Sequence, residues 1–342
     1  MGTILTGIKP TGMPHLGNYV GMIKPTLALI NAANPMDKNL VFIANYHALN
    51  QERNANLVRE NTYHIAATLL ALGLEPQKAI FYRQSDVPEI FELATILANL
   101  AAKGLLNRAH AYKDAVNKNR QAYAEKGIPE VEMDLDAGIN MGLFNYPILM
   151  AADILLFQST QVPVGKDQTQ HLEIARDVAG TFNRTYGEVL TLPNAYIVKD
   201  SAEVPGLDGR KMSKSYQNTI PVFGEQREVA KLIMKIKTDS KLPEDKKDPE
   251  TSTVFQLYKA FASPEEIDTM RMAFQEGKIG HGESKKRLVE VVDRELEVPR
   301  QRYKQYMEDP QAIDAILHEG GEQARQIAQE TMRKVRASIG FA

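Results

Sequence analysis

Residues 4–21 read ILTGIKPTGMPHLGNYVG. An apolar run, Ile4 to Thr6, breaks at Gly7 into a loop carrying Lys9, Pro10, Thr11, Gly12 and Pro14, and a helical pattern opens at His15. Strand, glycine loop and helix in that order make a nucleotide cradle. Glycine lets backbone approach a ligand closely, and a helix start aims unpaired N–H groups and the positive end of its dipole at whatever fills the loop. Lys9, Thr11, His15, Gly17 and Asn18 add donors to that end, so phosphate is the expected occupant. Neither G-x-G-x-x-G nor G-K-[ST] is present, which excludes the dinucleotide fingerprint and the Walker loop.

The same order repeats downstream. A helix is expected over 15–34, a strand over 40–44 leading into Asn45, Tyr46, His47 and Ala48, and a helix over 57–72 that Gly73 ends. A strand over 79–82 then leads into Arg83, Gln84, Ser85 and Asp86. Alternation of this kind predicts an α/β fold, a Rossmann-like parallel sheet with right-handed crossovers, and ligands at the carboxyl ends of its strands. Gly7, His47 and Gln84 fall at such ends.

Between about 88 and 160 the pattern turns helical, which reads as an insertion with a polar, mobile excursion over 117–136. The segment 146–156, YPILMAADILL, is apolar except for Asp153. A strand over 161–164, a helix over 170–182 and a last strand over 190–198 follow, then a turn-rich loop over 206–215. Beyond Phe223 helix formers dominate, with a capping box from Ser263 to Glu266 and helices over 285–307, 311–318 and 323–338. The expected division is a Rossmann-like catalytic domain over 1–222 and a helical domain over 223–342. The last helix is expected to pack back on the first domain.

With 342 residues the chain can bury two cores. A net charge of −2 excludes a bulk polycation, so any nucleic acid must meet a local basic face. The absence of cysteine excludes disulfides and thiolate metal sites, and fits a reducing cytoplasm. No leader and no stretch of bilayer length is read, so no membrane partner is expected. The opening residues match a loose myristoylation pattern, but the first strand needs them.

Residues 211–215 read KMSKS. Two lysines three positions apart on a glycine-preceded loop can both reach one triphosphate; a charge cluster is otherwise a solvated loop. Together with His15, Leu16, Gly17 and Asn18, this segment resembles the paired signatures of the class I aminoacyl-tRNA synthetases. From Gly7 to Gly340 the chain is similar to the tryptophanyl-tRNA synthetase family, carried further by 146–156 and by 162–171, VPVGKDQTQH.

That resemblance implies Mg-ATP and L-tryptophan as substrates, tRNA(Trp) as acceptor, a homodimer, and a helical domain that reads the CCA anticodon. It implies catalytic roles for His15, Asn18, Lys211 and Lys214. Lys9, Pro10, Thr11, Gly17, Asn18, Gly165, Lys166, Asp167, Ile197, Lys211, Met212, Ser213, Lys214 and Ser215 would line the ATP site, with Lys113 as a triphosphate contact. Leu5, Gly7, His47, Tyr146, Met150, Asp153, Val162, Val164 and Gln168 would line the tryptophan site. Magnesium would come with ATP, and no protein-held metal is expected.

The chemistry can be argued without the resemblance. A carboxylate attacks the α-phosphorus of ATP and pyrophosphate leaves, so the protein must supply position and positive charge more than a general base. Asp153 is costly in an apolar helix unless partnered. From the residues alone it is a capping or ion-paired aspartate; the resemblance makes it the acceptor for the indole N–H.

Under the resemblance Met150 and 162–164 would form the indole slot; from the residues alone, any single one of them reads better as ordinary core. His47 reads as substrate contact or structural histidine, His171 as packing on its own helix, and Arg108 and His110 as facing the substrate. Three residues depart from the expected family pattern: Lys9 where Gln is usual, Lys166 where Glu is usual, and Leu5 where Phe is usual. A tyrosyl-tRNA synthetase and a tRNA-binding regulatory paralogue that does not charge tRNA are the alternative readings.

Overall fold

The computed structural model describes residues 2–34, 36–165, 168–197 and 204–341, with Ile197 described in its backbone alone. Five strands, β1 (Thr3–Ile8), β2 (Lys38–Ile43), β3 (Ile80–Arg83), β4 (Gln161–Val164) and β5 (Asn194–Ile197), form one sheet in the order β3-β2-β1-β4-β5. Every pairing is parallel, with Leu5 beside Leu40 and Gly7 beside Phe42. Chain order reverses between β1 and β4, which opens a crevice at their carboxyl ends.

Both faces of the sheet are covered, so the central strands are nearly continuous in apolar residues. Alternation along β2 sends Val41 and Ile43 into one core with Leu16, Ile65 and Leu69. Leu40 and Phe42 enter the other, with Leu5, Tyr82, Leu97 and Leu155. Asn54 caps the helix Ala55–Ala71 by accepting from the amides of Asn56 and Leu57, and Gly73 follows it at φ 102°, a conformation that suits glycine. The polar stretch of the insertion contains the helix His110–Glu125, in which no residue is buried. The final strand is shorter than expected, and Val198 lies outside the described residues.

The C-terminal region is helical. Ser263 and Glu266 form the anticipated reciprocal cap at the start of Pro264–Glu276, through Ser263 N to Glu266 Oε2 at 2.9 Å and Glu266 N to Ser263 Oγ at 3.3 Å. One expectation fails here. The segments 311–318 and 323–338 are a single helix, Pro310–Ser338, that runs through Gly320 and Gly321.

These glycines permit contact where a break had been read. A Cβ on Gly320 would stand 1.9 Å from the carbonyl oxygen of Phe81, and one on Gly321 would stand 2.8 Å from Cβ of Asp86. The helix therefore rides directly on β3. Beyond the crossing, Ala324, Ala328, Met332 and Val335 enter the same core as Tyr82 and Leu97. Arg325 meets Glu89 at 2.9 Å, and Arg336 grips Glu92 with two nitrogens.

Candidate active site

A cleft of about 1050 Å³ opens at the reversal point of the sheet. Its floor at one end begins with His15, which caps the short helix Leu16–Asn18. His15 Nδ1 accepts from the Asn18 amide at 3.2 Å, and Asn18 Oδ1 accepts from the His15 amide at 3.1 Å. This is a capping box with a histidine in the position of the usual hydroxyl residue. Because Nδ1 accepts, the ring proton sits on Nε2 and remains a donor. Burial, reinforced by the charge on Lys214, pulls the His15 pKa down to about 4, so the ring is neutral at pH 7.

Gly17 explains why the next position is small. A Cβ there would lie 2.9 Å from His15 Nδ1 and 3.2 Å from Cβ of Met212. Its amide instead meets Met212 Sδ at 3.3 Å. Leu16 N donates to Ile220 O at 2.8 Å and Val222 N to Pro14 O at 3.0 Å, which stitches the two segments together. Lys214 Nζ donates to the Thr11 carbonyl at 2.8 Å. Lys9 Nζ reaches Gln51 Oε1 at 3.3 Å, and burial holds the pKa of both Lys9 and Lys214 below the ordinary lysine value.

The far end of the cleft is apolar around one acid. Asp153, 1% exposed on the helix Met141–Leu156, receives Gln84 Nε2 at 2.9 and 3.0 Å on its two oxygens. His47 Nε2 lies 2.9 Å from Oδ2. Burial pushes the Asp153 carboxyl up, while His47 and Gln84 pull it back by stabilising the anion. Gln84 is itself fixed, its Oε1 accepting the Tyr46 amide at 3.1 Å. Leu5, Phe42, Met150, Val162 and Val164 line the space beside this acid. Gly7 faces it too: a Cβ there would be 2.5 Å from the Phe42 ring.

Sixteen of the residues expected at the site line this cleft: Leu5, Gly7, Lys9, His15, Gly17, Asn18, His47, Tyr146, Met150, Asp153, Val162, Val164, Gly165, Gln168, Lys211 and Met212. Pro10, Thr11, Ser213, Lys214 and Ser215 do not line it, although Thr11 and Lys214 join the two loops at its edge. Lys113 is exposed on the helix His110–Glu125 and also stands away from the lining. Lys166, Asp167 and the side chain of Ile197 lie outside the described residues.

Two expectations are corrected. Arg108 and His110 are exposed and do not line the cleft; Gln170 ties their backbone, through Nε2 to Arg108 O and through Oε1 from His110 N, both at 2.9 Å. His171 does more than pack on its helix. It lines the cleft, with Nδ1 2.8 Å from Gln168 Oε1 and Nε2 against the Tyr146 hydroxyl. Phe42 is a site residue that the sequence did not reveal, and Gln84, read at a ligand-bearing strand end, was not read as the partner of Asp153.

One end of the cleft can hold a polyanion, and the other can hold a flat apolar group that offers one donor. Among the described residues, no group of three histidine, aspartate or glutamate side chains gathers to hold a metal ion. No helix among them is long and apolar enough to cross a membrane.

Comparison with known proteins agrees with this chemistry. The model of the family described as tRNA synthetases class I (W and Y) matches residues 2–297. A tryptophan–tRNA ligase of Neisseria meningitidis is 46% identical over 338 residues, covering 99% of this chain and 97% of the relative. One from Pseudomonas aeruginosa is 47% identical over 341 residues, covering 99% and 73% respectively. The crystal structure of a tryptophanyl-tRNA synthetase from Campylobacter jejuni complexed with ADP and tryptophan superposes with a TM-score of 0.86 at 41% identity, covering 99% of each chain.

Proposed function

The chain belongs to the class I tRNA synthetases of the tryptophan and tyrosine group, and from that premise we infer how its cleft works as a tryptophan–tRNA ligase. It activates L-tryptophan with ATP to tryptophanyl-adenylate and pyrophosphate, then transfers tryptophan to the 3′ end of its tRNA. The carboxylate of the amino acid attacks the α-phosphorus and needs no proton removed. Catalysis therefore consists of holding the reactants in line and meeting the negative charge that develops on the phosphates.

His15 Nε2–H and the side-chain Nδ2 of Asn18 serve one flank of the triphosphate, and Lys211 and Lys214 serve the other. A neutral His15 suits this role, because it donates without competing for a proton. Among the described residues the cleft presents lysines and neutral donors with no carboxylate cluster, which fits a magnesium ion carried by the nucleotide's own oxygens. When bound, that ion would add Lewis-acid charge to the phosphates.

Asp153 selects the amino acid. Its carboxylate accepts the indole N–H, and Met150, Val162 and Val164 hold the ring. A site built around one hydrogen bond discriminates far better than a slot that measures size, since the wrong substrate leaves the buried acid short of a partner. His47 and Gln84 supply the rest of its bonding without filling the remaining lone pairs. The observation that carries this reading is a carboxylate only 1% exposed that lines the same cleft as His15 and Lys211.

The homodimer, reading of the CCA anticodon by the helical region beyond residue 222, and a cytoplasmic setting accompany this reading as proposals. Amino-acid-dependent pyrophosphate exchange tests it. Exchange with tyrosine in place of tryptophan would support the tyrosyl alternative, and tRNA binding without exchange would support the non-charging one.

A further inference from the structure

A buried, multiply bonded side chain of the 206–218 loop lies outside its signature. Asn218 is 2% exposed. Its Nδ2 donates to Asp208 Oδ1 at 2.7 Å and to the Lys211 carbonyl at 3.1 Å, with the Arg210 carbonyl at 3.4 Å, and its Oδ1 accepts from the Ser213 amide at 2.8 Å. Its own carbonyl accepts from Leu207 N at 2.9 Å. The loop is wound tightly around this amide. A Cβ on Gly206 would stand 2.4 Å from both Cγ and Nδ2 of Asn218.

We propose that Asn218 is a positioning residue for ATP: it fixes the backbone of the signature loop so that Lys211 and Lys214 meet the triphosphate in register with His15. The two lysines lie on either side of the bonds it makes, at the Lys211 carbonyl and the Ser213 amide. An exposed loop closed only by backbone would pay its ordering entropy on each binding event; a buried amide at its centre holds it ordered beforehand. The surroundings require an amide. Asp208 presents an acceptor and Ser213 presents a donor, so neither an acid nor an apolar residue satisfies both sides. The Asp208 carboxyl is held down to about 2, with the Asn218 donor as its largest cause and Arg210 adding to it.

The inference rests on the ATP role of the loop, and the test separates the two. In folded Asn218→Ala, KM for ATP in pyrophosphate exchange should rise by about tenfold or more while KM for tryptophan stays within about twofold. Transfer of tryptophan from preformed adenylate to tRNA should stay within about twofold as well. Asn218→Asp preserves shape but sets a carboxylate against Asp208, and should show the same ATP-selective loss. Adding Asp208→Asn to that variant restores a donor–acceptor pair and should recover at least about threefold.

An unchanged KM for ATP in either folded single variant, equal losses on both substrates, or no recovery in the double variant would overturn the inference. Lys214→Ala is the control for the loop's role. If it leaves ATP dependence intact, the ATP reading itself fails; if it impairs ATP use while the Asn218 variants do not, only the positioning inference fails.

Discussion

Asp153 Oδ2 stands 2.9 Å from Nε2 of His47, a residue 106 positions earlier that reaches it from beyond the end of β2. The pair brings an acid from the helical insertion to the sheet's own binding edge. Gln84, from beyond β3, completes the arrangement by donating to both oxygens.

Gln84→Met removes those two hydrogen bonds, both from Nε2, at nearly constant volume. Burial already raises the Asp153 carboxyl, and hydrogen bonds to the anion oppose that rise, so losing them must raise it further. His47, and Tyr82 whose hydroxyl faces the same charge, are the remaining polar neighbours. The acid limb of kcat/KM for tryptophan should shift to higher pH, with a loss of about tenfold near neutrality and KM for ATP unchanged. A pH–rate profile identical to that of the parent enzyme would argue against this role.

His15 should titrate near pH 4 in the native state, against 6.5 for the free ring. A base whose pKa is depressed on folding binds fewer protons in the native than in the unfolded state between those values. Its contribution to stability is therefore present above pH 6.5 and lost as the pH falls toward 4. Urea denaturation should show a steeper decline over that window than in His15→Asn, where a side-chain oxygen can still cap the helix. Imidazole proton shifts followed by NMR would read the same titration directly.

Much of this site is legible in residue order because the fold forces it. Any strand–loop–helix alternation puts its ligand at the carboxyl ends of the strands, so Gly7, His15 and His47 could be assigned to one edge from spacing alone. The meeting of Gly17 with Met212 could not, since 195 residues separate them and no local pattern encodes the contact. Gln84 falls at the same edge, but its bond to Asp153 escaped for a related reason. A polar residue at a strand end looks alike whether it meets solvent or a buried acid from a distant helix. Gly320 and Gly321 misled, because a glycine pair that permits close packing has the same letters as one that ends a helix.

Gly320→Ala tests that reading of the last helix. With 1.9 Å between its Cβ and the Phe81 carbonyl oxygen, helix and strand must separate. The intrinsic gain from replacing a helical glycine is about 1 kcal/mol. Overpacking typically costs about 1–3 kcal/mol and here strikes rigid backbone on both sides, so a net loss of stability is expected. Chemical denaturation of Gly320→Ala should reveal it, and a variant more stable than the parent would contradict the packing.

Lys9 stands where the family pattern expects glutamine, and it lines the cleft. Lys9→Gln should weaken ATP binding by about fivefold and raise the magnesium concentration needed for half-maximal exchange, since one cation is withdrawn from the phosphates. Pairing it with Lys166→Glu should deepen both effects. Unaltered ATP affinity and magnesium dependence in the double variant would remove any role for these two charges.

The most direct trial is pyrophosphate exchange with each standard amino acid, run on the parent protein and on Asp153→Asn. The expected outcome is exchange with tryptophan at least about 10³-fold above tyrosine and phenylalanine, falling by about 10² or more in the variant while its fold persists. Equal exchange with tyrosine, or a variant that keeps the parent's discrimination, would contradict the assignment of Asp153 as the selector of the indole ring.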